Sequence, residues 1–318
     1  MNTINTDNVL CPICHSEARF DFSGRDLMFD GYTRYDYFSC TECSGIFQYP
    51  MPTADEIASF YPADYSVYDE KNHHRKLSQL KRAIYKNKYG YINLEILKVY
   101  DVLASLLARF YRADKPNYIE NGTLLDVGCG NGRYLSTMRT LGWDVQGVDF
   151  SEDGIRVCRS ADLKVHHGDL RSAQLPENYF DVITVRHVIE HIPEPIALMT
   201  ELARLLKPGG KLIIDTPNGN SIGRSIFGAN WYANDVPRHL ILFSPDNLVR
   251  LAKEYGLKSE SLILNSTPKI FLNSIDYIIK NTGKSSSKIR WRRTASRLYM
   301  WLARYTNRGD EIHSVFTK

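Results

Sequence analysis

Residues Leu124 to Gly132 read Leu-Leu-Asp-Val-Gly-Cys-Gly-Asn-Gly. An apolar strand runs there into a loop with glycine at alternate positions, Gly128, Gly130 and Gly132. Side chains at those positions would block a ligand lying against the backbone, and glycine tolerates the positive φ that such a bend needs. A helical pattern follows at once, from Arg133 to Leu141. Strand, glycine loop and helix in that order make a nucleotide-type pocket.

The rest of the loop decides which nucleotide. A dinucleotide fingerprint, G-x-G-x-x-G, needs its third glycine where Arg133 stands. The Gly-Lys-Ser/Thr that a P-loop needs does not follow this loop. Asp126 precedes the first glycine by two residues, and Asp149 ends the next strand, Asp144 to Asp149. A carboxylate at that strand end can accept both ribose hydroxyls of an adenosine. The ligand inferred has a ribose and an adenine, no pyrophosphate, and room for a positive charge. S-adenosylmethionine fits.

Over residues 123–264 the chain resembles the class I S-adenosylmethionine-dependent methyltransferases. The run Asp126-Val127-Gly128-Cys129-Gly130-Asn131-Gly132 matches the family's first motif. Asp149, with Phe150 beside it, matches the ribose-binding acid, and Gly168-Asp169-Leu170 matches the motif whose acid receives the adenine amino group. Phe180 to Ile183 resembles the fourth strand, and the Arg186 to His191 segment its loop, with Arg186 and His187 at the cofactor rim. Leu206-Lys207-Pro208-Gly209-Gly210 matches the turn into the fifth strand, Lys211 to Thr216. Taken singly each match is ordinary punctuation; in this order, along one α/β pattern, they are specific.

The resemblance implies an α/β fold: a doubly wound, Rossmann-like sheet of seven strands whose last strand, Gly309 to Phe316, is antiparallel. Residues 116–318 then form the methyltransferase domain, with 265–308 as a helical insertion before the last strand.

His187-Val188-Ile189-Glu190-His191 is formally H-x-x-E-H, a zinc-peptidase spacing. It follows a strand directly and runs into Pro193 and Pro195. One helical turn bounded by prolines is a poor metal platform, so these histidines are placed at the pocket rim instead.

Cys11-Pro12-Ile13-Cys14 and Cys40-Thr41-Glu42-Cys43 pair two C-x-x-C motifs, which reads as a tetrahedral thiolate site for structural Zn2+. A redox dithiol needs only one pair, and four thiolates leave no open position for catalysis. Residues 1–50 are therefore expected to be a zinc ribbon, with a strand from Tyr32 to Ser39. Cys129 and Cys158 read as small buried residues. Residues 51–115 read as a helical linker or cap: Thr53-Ala54-Asp55-Glu56 looks like a helix start, Phe60 to Tyr65 like an aromatic linker, and Lys76 to Phe110 like a broken helical region.

The net charge of +4 is unevenly distributed. Lys71 to Lys88 carries seven Lys/Arg and Lys280 to Arg308 nine, with no acid in either, so the remainder holds 24 basic against 36 acidic residues. Two such segments suit an anionic partner or are solvated helix faces. In the insertion, Ile270, Phe271, Leu272, Ile275, Ile278 and Ile279 recur at helical spacing. Trp291, Ala295, Leu298, Leu302 and Tyr305 form a stripe, with Arg290, Arg292, Arg293, Arg297 and Arg304 around the other side. Such a helix either packs its stripe on its own domain, the reading preferred here, or rests on an anionic membrane through 280–308. With no run of eighteen apolar residues and no signal-like N-terminus, the expected location is cytoplasmic, with membrane contact at most peripheral.

After strand five, Asp235-Val236-Pro237-Arg238-His239-Leu240 resembles the Asp-x-Pro-Arg-His-Leu loop of a methyltransferase branch that also carries an N-terminal zinc ribbon. That branch is associated with methylation of sugars, polysaccharides and secondary metabolites. The resemblance makes His239 the candidate base, with Asp235 or Arg238 orienting it or the substrate; histidine is poised near neutrality for removing a hydroxyl proton. Against this, His239 could cap the helix beginning near Ser244 or satisfy a loop carbonyl. The leading expectation is O-methylation of a saccharide or a saccharide-linked intermediate, phosphorylated or not, as an anionic small-molecule or glycan acceptor. A membrane lipid or quinone, or RNA, is the alternative acceptor, and a non-catalytic cofactor-binding adaptor the alternative of another class. No Asn/Asp-Pro-Pro-Tyr motif follows strand four, which disfavours methylation of nucleic-acid bases.

Overall fold

The computed structural model describes residues 9–61, 77–107, 115–283 and 289–318. Residues 62–65 of the expected linker, the basic residues Lys71, Arg75 and Lys76, the helix end at 108–110 and the stretch 284–288 lie outside the described residues. The chain divides into two compact units. One comprises Met1–Asp64, Val185–Ala203 and Ile213–Lys318, the other Tyr65–Thr184 and Arg204–Leu212.

Seven strands form the main sheet: β4 (Thr123–Val127), β5 (Asp144–Asp149), β6 (Lys164–His167), β7 (Phe180–Arg186), β8 (Leu206–Pro217), β10 (Lys258–Asn265) and β11 (Glu311–Thr317). Their order is β10-β11-β8-β7-β4-β5-β6. β4 and β6 each pair in parallel with β5, whereas β11 runs antiparallel to β10. The seven-stranded sheet is as expected, but the strand expected from Lys211 starts earlier: β8 begins at Leu206, so Lys207-Pro208-Gly209-Gly210 lies within the extended run.

In the second unit, β4 buries Leu124 and Leu125 completely, each worth about 2 kcal/mol of apolar burial. The amphipathic helices α4 (Arg133–Thr140) and α5 (Glu152–Ser160) follow β4 and β5; Leu135 and Met138 are buried from α4, and Ile155, Val157 and Cys158 from α5. Asp181 ties the base of the sheet, accepting from Thr123 N at 2.9 Å and Lys207 Nζ at 2.8 Å. The expected helical region resolves into α2 (Gln79–Tyr89) and α3 (Lys98–Leu107), which meet through Ala83, Ile84 and Ala104. Gly90, at φ +74°, ends α2 in the left-handed conformation that glycine favours.

The first unit opens with the cysteine module: β1 (Ala18–Arg25), β2 (Arg34–Cys40) and β3 (Ile46–Gln48), consecutively antiparallel. This small sheet does not close on itself. It gains a fourth strand, β9 (Ile241–Leu242), which directly follows the Asp235–Leu240 loop. α1 (Ala54–Ser59) starts at a capping box between Thr53 and Glu56, as its sequence predicts. This unit also contains α7 (Ile222–Phe227) and α8 (Pro245–Glu254), and α6 (Pro195–Leu205) precedes β8.

The insertion forms α9 (Pro268–Thr282) and α10 (Ile289–Tyr305). From α9, Ile270 and Phe271 enter a core with Tyr37, Phe227, Trp231 and Tyr299. The stripe expected on α10 is corrected. Among its described side chains Ser296, Tyr299 and Ala303 are buried; of the expected stripe, Ala295 packs on the core and Leu302 is half-buried, whereas Trp291, Leu298 and Tyr305 face solvent. The physical reason is polar. Tyr299 supplies a hydroxyl to the buried carboxylate of Asp310, 2.6 Å away, and that bond fixes the helix's rotation.

Candidate active site

The glycine loop lies in the second unit. Gly128, Gly130 and Gly132 adopt φ of +74°, +53° and +75°, so the loop needs glycine at each. Gly132 has a further, packing reason. A Cβ there would stand 2.5 Å from Leu163 Cδ1 and 2.7 Å from Cys158 Sγ, so this position seats α4 on its neighbours. Cys129 and Cys158 are both buried, as their sequence context implies.

Asp126 is buried in β4 and accepts from Thr184 Oγ1 at 2.6 Å. Asp149 closes on the loop itself: its Oδ2 accepts from Gly130 N at 2.7 Å and its Oδ1 from Ser151 N at 2.8 Å. The acid thus fixes the bend of the loop as well as offering a carboxylate at the strand end. Phe150 is largely exposed beside it, an apolar ring with no core to fill. Asp169 follows Gly168 at an exposed turn and accepts from Ser172 N at 2.6 Å, which holds its carboxyl below the usual range. Leu170 is buried beneath that turn. A cradle of positive-φ glycines, a carboxylate at the end of the next strand, an exposed ring and an exposed acid suits an adenosyl ligand.

In the first unit, the end of β7, the loop after β8 and the cysteine module converge on a buried polar cluster. Glu190 and His191 lie on a single 3-10 turn, Ile189–His191. Glu190 is fully buried. Its Oε2 accepts from Thr216 Oγ1 at 2.9 Å, while Oε1 has no hydrogen-bond partner among the described residues. Burial by itself would raise this carboxyl. The contact with His187 and the neighbouring imidazoles of His191 and His239 outweigh it and hold the group at about 2.

His239 is buried, and its Nδ1 lies 2.9 Å from the Ala233 carbonyl. A carbonyl only accepts, so Nδ1 donates, and in the neutral ring the lone pair is on Nε2. That nitrogen faces Glu190 Oε1 at 4.0 Å and Asp235 Oδ2 at 3.8 Å. The helix-cap alternative for His239 fails, because Ser244 caps α8 with its own capping box. The loop-carbonyl alternative accounts for one ring nitrogen and leaves the other. His191 packs edge-to-face on His239, ring centres 4.7 Å apart. Its Nδ1 lies 2.9 Å from Arg238 O and 3.0 Å from Tyr61 Oη. Burial, then the charge at His239, lowers His191 to about 4, so it is neutral at pH 7.

Arg238 has a fully buried guanidinium that bridges two carboxylates. It reaches Asp235 Oδ1 at 2.7 Å and Asp26 Oδ2, in the turn between β1 and β2, at 2.7 Å. Tyr37 Oη donates to His239 O at 2.9 Å. The cysteine module is therefore part of the wall that holds the Asp235–Leu240 loop. Sequence reasoning misses Asp26 and Tyr37, 212 and 202 residues from their partners in the loop, and Tyr61, 130 residues from His191, because nothing in their local sequence marks these pairings.

Arg186 pairs with Asp215, Nε to Oδ2 at 2.8 Å, and His313 Nδ1 lies 2.5 Å from the other oxygen. His187 is half exposed at φ +53°, with Nδ1 3.4 Å from Glu190 Oε1. The H-x-x-E-H spacing does not bring its two histidines together on a helix. The group within metal-ligating reach is Glu190, His191 and His239, whose ligand atoms lie within 4.8 Å of one another.

The four cysteines of the N-terminal module do converge, with ligand atoms within 4.8 Å of one another. Cys11 Sγ is 3.6 Å from Cys43 Sγ, and Cys14 Sγ 3.5 Å from Cys40 Sγ. A tetrahedral ion with bonds of about 2.3 Å holds sulfurs about 3.8 Å apart, so the set fits zinc. The contact between Cys11 and Cys43 lowers one thiol, Cys43, and raises the other, Cys11, as expected of two sulfurs sharing one proton.

A mixed seven-stranded sheet with a glycine-loop cradle and carboxylates at successive strand ends defines a class I S-adenosylmethionine-dependent methyltransferase domain. Residues 97–262 match the family model described as a methyltransferase domain, and the chain belongs to that family. Among curated relatives, the ubiquinone biosynthesis O-methyltransferase of Thiobacillus denitrificans is 34% identical over 153 residues, which is 44% of this chain and 66% of that protein. The enzyme of the same name from Hydrogenovibrio crunogenus is 33% identical over 152 residues, 44% of this chain and 63% of that protein. The chain thus spans just under two thirds of the length of these relatives. A solved S-adenosylmethionine-dependent methyltransferase from Archaeoglobus fulgidus aligns at 19% identity and a TM-score of 0.46, covering 74% of this chain and 98% of that one.

Proposed function

We propose that this protein is an S-adenosylmethionine-dependent O-methyltransferase whose acceptor is a hydroxyl of a quinone-type or lipid molecule. Asp149 binds the ribose hydroxyls, Phe150 covers the adenine and Asp169 receives its amino group. Bound there, S-adenosylmethionine supplies a methyl group made electrophilic by the sulfonium. The chain's own task is proton removal: Nε2 of His239 would take the proton that the acceptor hydroxyl loses as its oxygen is methylated and the donor's sulfonium C–S bond breaks to leave S-adenosylhomocysteine. Asp235 and Glu190 then stabilise the imidazolium. Arg238 holds Asp235 in place.

The observation that carries O-methylation is the pinned imidazole: Nδ1 is committed to the Ala233 carbonyl and Nε2 is left facing two carboxylates. The acceptor class is supported by the name shared by the curated relatives, ubiquinone biosynthesis O-methyltransferase, which matches the quinone alternative and not the saccharide expected from the loop. Transfer of labelled methyl from S-adenosylmethionine to a panel of catechols, nucleotide sugars and glycans tests it. Labelled catechol is expected; labelled sugar alone would return the acceptor to the saccharide class.

A second reading of the polar cluster has one observation in its favour, the convergence of Glu190, His191 and His239. A divalent cation held there would activate the acceptor hydroxyl in place of a free base. Turnover that survives exhaustive chelation excludes it. The cysteine module binds one structural Zn2+ through Cys11, Cys14, Cys40 and Cys43, supported by their spacing.

A further inference from the structure

Among the described residues, nothing covers the outward face of α10. Its inner side is spoken for: Ser296, Tyr299 and Ala303 are buried, and Arg292 pairs with Asp276 of α9 at 2.7 Å. On the other side Trp291 is 48% exposed, Leu298 64%, Trp301 59% and Tyr305 77%. Positions 291, 298 and 305 lie seven residues apart and so line up along a helix; position 301 falls on the same face. Trp301 and Tyr305 stack on each other at 5.3 Å, which orders the end of the strip without covering it. Arg293, Arg297 and Arg304 are exposed beside it, and no acid occurs anywhere from Lys280 to Arg308.

We propose that this face of α10 docks on an anionic lipid bilayer. Trp and Tyr carry an apolar body and a polar tip, which suits the headgroup boundary. Leu298 enters the acyl region between them, and the arginines meet lipid phosphates. The helix lies on the surface and does not cross: among the described residues no helix is long and apolar enough to span a membrane. A second copy of the chain is a poorer occupant. Two such faces brought together would oppose exposed arginines, with no acid on either helix. The inference is independent of which hydroxyl is methylated.

The test uses the full chain and its own tryptophans. Trp143 and Trp231 are buried, so Trp291 and Trp301 report contact with lipid. Sedimentation with phosphatidylcholine vesicles, with and without about one third phosphatidylglycerol, is followed together with emission wavelength. Binding to the anionic vesicles with a blue shift, weakened at least tenfold by 0.5 M salt, is expected. The double variant Trp291→Ala/Trp301→Ala and the triple variant Arg293→Glu/Arg297→Glu/Arg304→Glu should each lose at least tenfold in vesicle affinity. Both should keep the melting temperature and the S-adenosylmethionine affinity of the parent. Equal behaviour on neutral and anionic vesicles, or full binding by either variant, would overturn the proposal. So would lipid-free self-association, or tight single-stranded RNA binding, that the same variants abolish.

Discussion

Arg238 donates from Nη1 to Asp26 Oδ2 at 2.7 Å, joining the turn of the cysteine module to a loop 212 residues further along the chain. The guanidinium is fully buried, so it depends on both of its carboxylates, Asp26 and Asp235. Together they outweigh its burial and keep it charged.

Removing one of those carboxylates leaves a buried cation half-compensated. Asp26→Ala is expected to cost about 3 kcal/mol in urea unfolding. Asp26→Asn, which keeps a hydrogen-bond acceptor, should cost less. Equal stability of Asp26→Ala and the parent would mean that the loop holds Arg238 without the module.

His239→Ala should lower kcat by about 10² to 10⁴, the range for losing a general base. Affinity for S-adenosylmethionine, by calorimetry, should stay unchanged, since the residue's assigned work is on the acceptor. Unaltered turnover with an identified acceptor removes the assignment of His239 as base.

The acid limb of stability should report His191. Its folded value, about 4, lies below its ordinary value of 6.5, so below pH 6.5 the unfolded chain binds a proton that the folded chain does not. Stability therefore falls as pH drops from 6.5 towards 4, by roughly 1 kcal/mol per pH unit at its steepest. Glu190 acts lower still: its folded carboxyl stays ionised to about 2, so its contribution is lost only as pH falls from its ordinary 4.5 towards that value. His191→Gln should flatten the 6.5-to-4 limb in denaturant titrations repeated at several pH values. A slope that persists in the variant assigns the effect elsewhere.

Gly132→Ala combines a strained φ of +75° with contacts of 2.5 Å to Leu163 and 2.7 Å to Cys158. About 3 kcal/mol of destabilisation is expected. Gly209→Ala is the control for backbone strain alone: φ is +78° and nothing lies within 4 Å of the added carbon, so about 1 kcal/mol is expected.

Much of this molecule is written locally. The Leu124–Gly132 run specifies strand, loop and helix by adjacency, and Asp149 is found because it ends the next apolar strand. The C-x-x-C pairs likewise announce their convergence. The rotation of α10 is not local. Apolar spacing alone put Trp291, Leu298 and Tyr305 inward, but the buried carboxylate of Asp310 claims the Tyr299 hydroxyl and turns the helix the other way. The same holds for the candidate base. The Arg238-His239 motif is visible, yet Asp26, Tyr37, Tyr61 and Glu190 reach it only through tertiary folding. The pairing of β3 with β9 gives no sign in either strand's sequence.

The account depends most on the ligand of the glycine loop. Calorimetric titration of the purified chain with S-adenosylmethionine measures it directly, alongside Asp149→Ala. One site per chain, lost or weakened at least tenfold in the variant, is the expected result. No heat from S-adenosylmethionine, or saturable binding of a dinucleotide coenzyme in its place, would contradict the assignment of the cradle and of the activity built on it.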